Sequence, residues 1–140
     1  MVILDTDHLT VLGYEDNPKC SSLAARLKAH SEPVTITVIS WEEQVRGWLA
    51  EVNRAKSFLA QVSPYTRLMK VVEFFSQWEI LPFSPTAANE CQHLRKQGIH
   101  IGSQDLKIAA IALWNNAFLL SANLRDFRKV PGLRVENWLD

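Results

Sequence analysis

Short runs of β-branched and aliphatic residues, "VILD" at 2–5, "VTITVI" at 34–39 and "AFLLS" at 117–121, alternate with longer stretches whose apolar residues recur at helical spacing. Weaker runs, "EILPF" at 79–83 and "LRVENW" at 133–138, continue the alternation. Strands that are apolar on both faces belong inside a sheet covered on both sides, and parallel neighbours need a long crossover, usually a helix. The pattern therefore predicts an α/β fold built from βαβ units around a mainly parallel sheet. The 140 residues contain no repeat, linker or low-complexity segment. A chain of this size buries roughly 70% of its unfolded surface in one core, so 1–140 reads as a single domain.

The helical stretches can be placed by period. "CSSLAARLKAH" puts Leu23, Ala24 and Leu27 on one face, and Trp41, Val45, Trp48 and Leu49 recur at i, i+4, i+7 and i+8. Ser63 followed by Pro64 has the form of an N-cap with proline at the first helical position. It opens a helix striped by Leu68, Met69, Val72 and Phe75, so the segment 54–78 is predicted to be a helical pair. "QDLKIAAIALWNN" is apolar almost all round, the mark of a helix buried between layers, and Asp105 falls in its first turn.

Charge and cysteine content narrow the classes. Fifteen basic and fifteen acidic residues cancel, which leaves no global attraction to polyanions and only local patches to consider. Cys20 and Cys91 form no C-x-x-C and have no His at ligand spacing, so neither a disulfide framework nor a zinc site is predicted. Asp5 interrupts the first apolar run after three residues, and "IAAIALW" is far short of the ~20 residues of a membrane span. The reading is a soluble cytoplasmic protein with no membrane partner.

The acids fall where the strands end. Asp5 closes the first strand with Asp7 just beyond; Glu42 and Glu43 follow the second; Asp105 starts the buried helix; Asn123 and Asp126 follow the strand "AFLLS". In an open parallel sheet these positions collect on the carboxyl edge of the strands, where ligands bind. Each has a local alternative. Ser40 and Glu43 have capping-box spacing, Asp7 is placed to cap a helix starting at His8, Asp105 suits the positive end of its own helix, and Asp126 sits between Arg125 and Arg128 as in a solvated ion pair. Asp5 is harder to explain locally, because a carboxylate ending an interior strand is desolvated and needs a partner. Several converging carboxylates repel one another unless a cation lies among them, and an all-oxygen donor set suits Mg²⁺ or Mn²⁺. Asp5 is thus a candidate metal ligand.

With those residues laid out, the chain resembles the PIN-domain ribonucleases, specifically the VapC-type toxins of toxin–antitoxin pairs. "ILDTDHL" resembles the family's first motif and assigns Asp5 as the first catalytic acid, with Asp7 at a supporting position. "ITVISWEEQVRG" is similar to the second, in which a Glu precedes a Gly by four residues, so Gly47 selects Glu43 over Glu42. "IGSQDLKIAAIAL" resembles the third and assigns Asp105. "LLSANLRDFRKVPGLRVENW" resembles the closing motif through Ser121, Asn123, Asp126, Phe127 and Trp138; either Asn123 or Asp126 takes the fourth position. Trp41 and Glu42 depart from the small or apolar residues usual before the Glu.

The resemblance implies a three-layer α/β/α sandwich and metal-dependent hydrolysis of RNA phosphodiester bonds. Asp5, Glu43 and Asp105 would hold Mg²⁺ or Mn²⁺, while Asp126 or Asn123 would orient the water or a second ion. Ser121 would support a carboxylate, and Arg125, Arg128 and Lys129 would meet flanking phosphates. The aromatic-rich segment holding Phe58, Tyr65, Phe74, Phe75 and Trp78 resembles the clip through which the family dimerises and grips its antitoxin, implying a homodimer and a small antitoxin protein as partner. Two rivals exist. Asp5-x-Asp7 also resembles the opening of haloacid-dehalogenase phosphatases, yet Leu9 stands where that family has Thr or Val. A catalytically inactive PIN-like binding module is the other, but no acid of the set is missing.

Overall fold

The computed structural model describes residues 1–13 and 16–140. The strands are β1 (Val2–Leu4), β2 (Val34–Thr37), β3 (Ile80–Leu81), β4 (Phe118–Leu120) and β5 (Arg134–Glu136), and they form one five-stranded sheet in the order β3-β2-β1-β4-β5. Every pairing is parallel, as the βαβ reading predicts. The helices are α1 (Thr6–Gly13), α2 (Cys20–Ala29), α3 (Val38–Arg54), α4 (Val62–Phe75), α5 (Pro85–Lys96), α6 (Ser103–Trp114) and α7 (Leu124–Phe127).

Alternation along the strands divides the core in two. Ile3 and Leu119 face α5, α6 and α7, packing with Leu94, Leu106, Ile108 and Phe127. Val2, Leu4, Ile36 and Leu120 face the other way, toward Leu9, Leu23, Leu27, Val71 and Phe75 of α1, α2 and α4. The result is the three-layer α/β/α sandwich. α6 is buried nearly all round, with Leu106 and Ile108–Ala112 inside, because it lies between sheet and α5. Trp138 closes the chain against α2 and the sheet: the Arg26 guanidinium stands 4.2 Å from its ring centre, and Phe118 and His30 meet it edge-on.

Several boundaries differ from the sequence reading. α3 begins at Val38, and its cap is Thr37, whose hydroxyl accepts the Ser40 N–H at 3.3 Å. Ser40 is therefore buried inside the helix and does not form a capping box with Glu43; the β-branched pair Val38–Ile39 is helical because Ile39 buries under the sheet. The segment 54–78 is not a helical pair. α3 runs to Arg54, a 3₁₀ turn covers Leu59–Gln61, and α4 follows from Val62 without a side-chain cap, so the pair is α3 with α4. α4 packs through Pro64, Val71 and Phe75, leaving Met69 and Val72 exposed. Ala24 on α2 is likewise exposed, and on α3 Val45, Trp48 and Val52 turn inward while Trp41 and Leu49 remain outside. Each stripe is narrower than predicted because one flank of its helix faces open solvent. Cys20 and Cys91 are both free. Among the described residues no helix is long and apolar enough to cross a membrane.

Leu119 lies wholly buried in the second-last strand, between β1 and β5 and under α6. Leu119→Ala is expected to lower unfolding free energy by about 2–5 kcal/mol in a denaturant titration; an unchanged midpoint would contradict this packing.

Candidate active site

Strand order and register build the site. The connections run to one side of β1 through β2 and β3, then to the other through β4 and β5. The crevice at the carboxyl ends of β1 and β4 is therefore the switch point of the sheet, where such folds take ligands. Leu4 pairs with Leu120, so the next residues, Asp5 and Ser121, emerge side by side. Ser121 Oγ donates to Asp5 Oδ2 at 2.6 Å, and the Thr6 N–H donates to Asp5 Oδ1 at 2.7 Å. Asp5 is 6% exposed and Ser121 fully buried.

Asp7 lies in the first turn of α1, which starts at Thr6 and not at His8, so Asp7 is not its cap. One oxygen meets His8 Nδ1 at 2.6 Å; the other accepts the Ala122 N–H at 2.9 Å and lies 3.4 Å from Ser121 Oγ. Asn123 precedes α7, yet its side chain does not cap that helix. Its Nδ2 donates instead to Asp105 Oδ2 at 2.9 Å and to Asp126 Oδ2 at 3.1 Å. Both alternatives for the fourth position thus sit together, the amide lying between two carboxylates. Glu43 lies near enough to Asp105 to feel its charge, and the Thr6 hydroxyl donates to Ser40 Oγ at 3.1 Å. Glu42 points along the rim, accepting from Gln104 at 2.9 Å and pairing with Arg46.

Burial and mutual repulsion dominate the electrostatics of Asp5, Glu43 and Asp105. Burial, reinforced by Asp7 and more weakly by Asp105, pushes Asp5 from the ordinary 3.8 to about 7 against the Ser121 and Thr6 hydrogen bonds. Glu43 is raised by burial and by Asp105, and Asp105 by burial and by Asp126 and Asp7. Asp7 goes the other way: burial alone would raise it, but the bonds from His8 and Ala122 outweigh that and hold it below the usual range. Asp126 is lowered by the Asn123 bond and by Lys129, 3.5 Å away. Among the described residues no Lys or Arg pairs with Asp5, Glu43 or Asp105.

The donor set is all oxygen and open on one side. Among the described residues no three His, Cys, Asp or Glu side chains are already closed into a metal-gripping cluster. An open carboxylate array suits a hard divalent cation that keeps some of its waters, rather than one requiring a full protein cage. Of the three basic candidates, Arg125 and Lys129 flank Asp126. Arg128 instead lines a cleft with His30, Glu32, Phe118 and Arg134, beside the amino ends of the strands. Thr6, His8 and Gln104 complete the hydrogen bonding and escaped the sequence reading; a hydroxyl and an imidazole directly beside two motif acids were the available signal.

Known proteins similar to this chain were found in sequence and in structure. No family model matches. Ribonuclease VapC2 of Haemophilus influenzae is 39% identical over 80 residues, 54% of this chain and 61% of that protein. The match thus spans about three-fifths of that relative's length. Ribonuclease VapC1 of another Haemophilus influenzae strain is 26% identical over 97% of this chain and 96% of its own. The VapBC2 structure from Rickettsia felis, bound to a DNA fragment from its promoter, superposes with a TM-score of 0.73 at 26% identity, covering 99% of both chains. The chain resembles the VapC-type PIN-domain proteins in sequence and in fold.

The charge pattern yields a pH dependence. A carboxyl group whose folded value lies above its unfolded value stabilises the fold while it is protonated, and that contribution is lost as pH rises through the folded value. In chelator-treated protein, Asp5 should therefore cost up to about 4 kcal/mol between pH ~4 and ~7, the equivalent of about three pH units. Asp5→Asn should flatten this slope in chemical unfolding measured across that range; parallel profiles for parent and variant would contradict the assignment.

Proposed function

We propose that this VapC-like chain is a divalent-metal-dependent endoribonuclease, the toxin of a toxin–antitoxin pair. The observation that carries this reading is the convergence of Asp5, Glu43 and Asp105 on one edge, each raised by burial and by another acid and, among the described residues, none in a salt bridge with Lys or Arg. Those three would hold Mg²⁺ or Mn²⁺. When bound, the ion supplies positive charge against the phosphate under attack and makes water more acidic. Ser121 fixes the orientation of Asp5, and the Asn123 amide fixes Asp105 relative to Asp126. Asp126, held below the usual range by the Asn123 hydrogen bond and Lys129, is the group placed to orient the attacking water. Attack forms a new P–O bond and breaks the P–O3′ bond, leaving a 5′-phosphate and a protonated 3′-hydroxyl. Arg125 and Lys129 would position flanking phosphates, contacts that carry no sequence information.

The partner surface lies on α4 and the turn before it. Phe58 is 92% exposed and Leu59 83%, and Val62, Tyr65, Met69 and Val72 continue the patch along one face at i, i+3, i+7 and i+10. Contiguous exposed apolar surface of this kind marks an interaction site. It fits a homodimer contact, and the adjoining cleft, lined by Leu9, Trp48, Val71 and Phe75 together with Gln44, Arg67 and Lys70, would receive a segment of an antitoxin.

Purified protein freed of any inhibitor is expected to cut total RNA into discrete fragments with Mg²⁺ or Mn²⁺ and not with EDTA. Asp105→Asn should reduce the rate by about 10²-fold or more, the scale of losing a preorganised charge-stabilising group, while the thermal melt shows a folded variant. Cleavage unaffected by EDTA or by Asp105→Asn would overturn the reading.

A further inference from the structure

Beside Asp7 stands His8, a fully buried imidazole that no motif explains. Its Nδ1 lies 2.6 Å from Asp7 Oδ1, and its Nε2 lies 3.1 Å from the main-chain nitrogen of Trp138. A main-chain N–H can only donate, so Nε2 is the bare acceptor and the ring proton sits on Nδ1, directed at Asp7. The tautomer is fixed by the docked carboxyl-terminal segment. With one oxygen so held, Asp7 presents the other to the Ala122 N–H at 2.9 Å, in the middle of the 121–123 turn. That turn carries Ser121, which holds Asp5 at 2.6 Å, and Asn123, which holds Asp105 and Asp126. Ser121 Oγ in turn accepts the Asn123 N–H at 3.0 Å, so the turn is one bonded unit.

We propose that His8 is a positioning residue for the metal-binding carboxylates, acting through Asp7 on the 121–123 turn, with its donor tautomer set by the docked Trp138 segment. This rests on the proposed role of Asp5 and Asp105 as ligands of the divalent ion. The imidazole itself touches neither ion nor RNA. The residue beside a motif acid therefore contributes to the site's geometry, and the far end of the chain contributes through it.

Two substitutions separate the halves of the link. His8→Asn keeps a donor near the Nδ1 position and loses the acceptor for Trp138; His8→Gln can place its carbonyl oxygen near the Nε2 position and loses the donor to Asp7. The measurements are Mn²⁺ affinity by calorimetry without RNA, kcat and KM for cleavage, and thermal melting. For His8→Gln we expect 10–100-fold losses in Mn²⁺ affinity and kcat, the usual effect of removing a hydrogen-bond partner behind a metal ligand, with KM unchanged. For His8→Asn we expect both parameters close to the parent, with the larger fall in melting temperature. A Gln variant that binds Mn²⁺ and turns over like the parent would overturn the positioning role, as would an Asn variant that loses as much Mn²⁺ affinity as the Gln variant. A parent that binds no Mn²⁺ would overturn the metal-site reading itself, and the positioning role with it.

Discussion

The parallel pairing of β1 with β4 is the constraint on which the site depends. Because Leu4 is opposite Leu120, the two strands end together and Asp5 meets Ser121 in a buried 2.6 Å hydrogen bond. A slip of one residue would reverse which side chains face each core layer and turn Asp5 away from Ser121. The fold and the site are therefore specified by the same register. Everything else at the crevice is placed relative to that pair: the start of α3 through Thr6, Ser40 and Glu43, and the start of α6 through Asn123 and Asp105.

The site also sets stability against function. Acids that raise one another are unfavourable in the folded chain on its own, and burial makes the effect large for Asp5. The protein relieves part of it with hydrogen bonds rather than with basic side chains: Ser121 and Thr6 on Asp5, His8 and Ala122 on Asp7, Asn123 on Asp105 and Asp126. Donors of this kind orient the oxygens while leaving the negative charge in place, which is the condition a cation site requires.

Much of this was legible in the chain itself. The three inner strands were visible as continuous apolar runs because they are buried on both faces, the exposed edge strands β3 and β5 gave the weaker runs, and the acids could be placed on one edge from chain order alone. Boundaries and faces were less legible. Val38 and Ile39 read as strand by composition, yet burial of Ile39 and the Thr37 cap carry them into α3. The stripe of α4 misled because its outward residues are as apolar as its inward ones. Arg128, adjacent in sequence to the other basic candidates, turns to the far end of the strands. The roles of Thr6 and His8 depend on partners 34 and 130 residues away, and no local period reports such contacts.

The arrangement of these acids for a divalent cation can be measured directly. It is tested most directly by titrating Mn²⁺ into metal-free protein near pH 7 by calorimetry in two buffers of different ionisation enthalpy. Saturable binding accompanied by proton release is expected, since burial pushes Asp5 up to about 7 and a ligand carboxylate must be ionised, together with loss of that binding in Asp5→Asn. No saturable binding, or binding with the same affinity and the same proton release in the Asn variant, would contradict it.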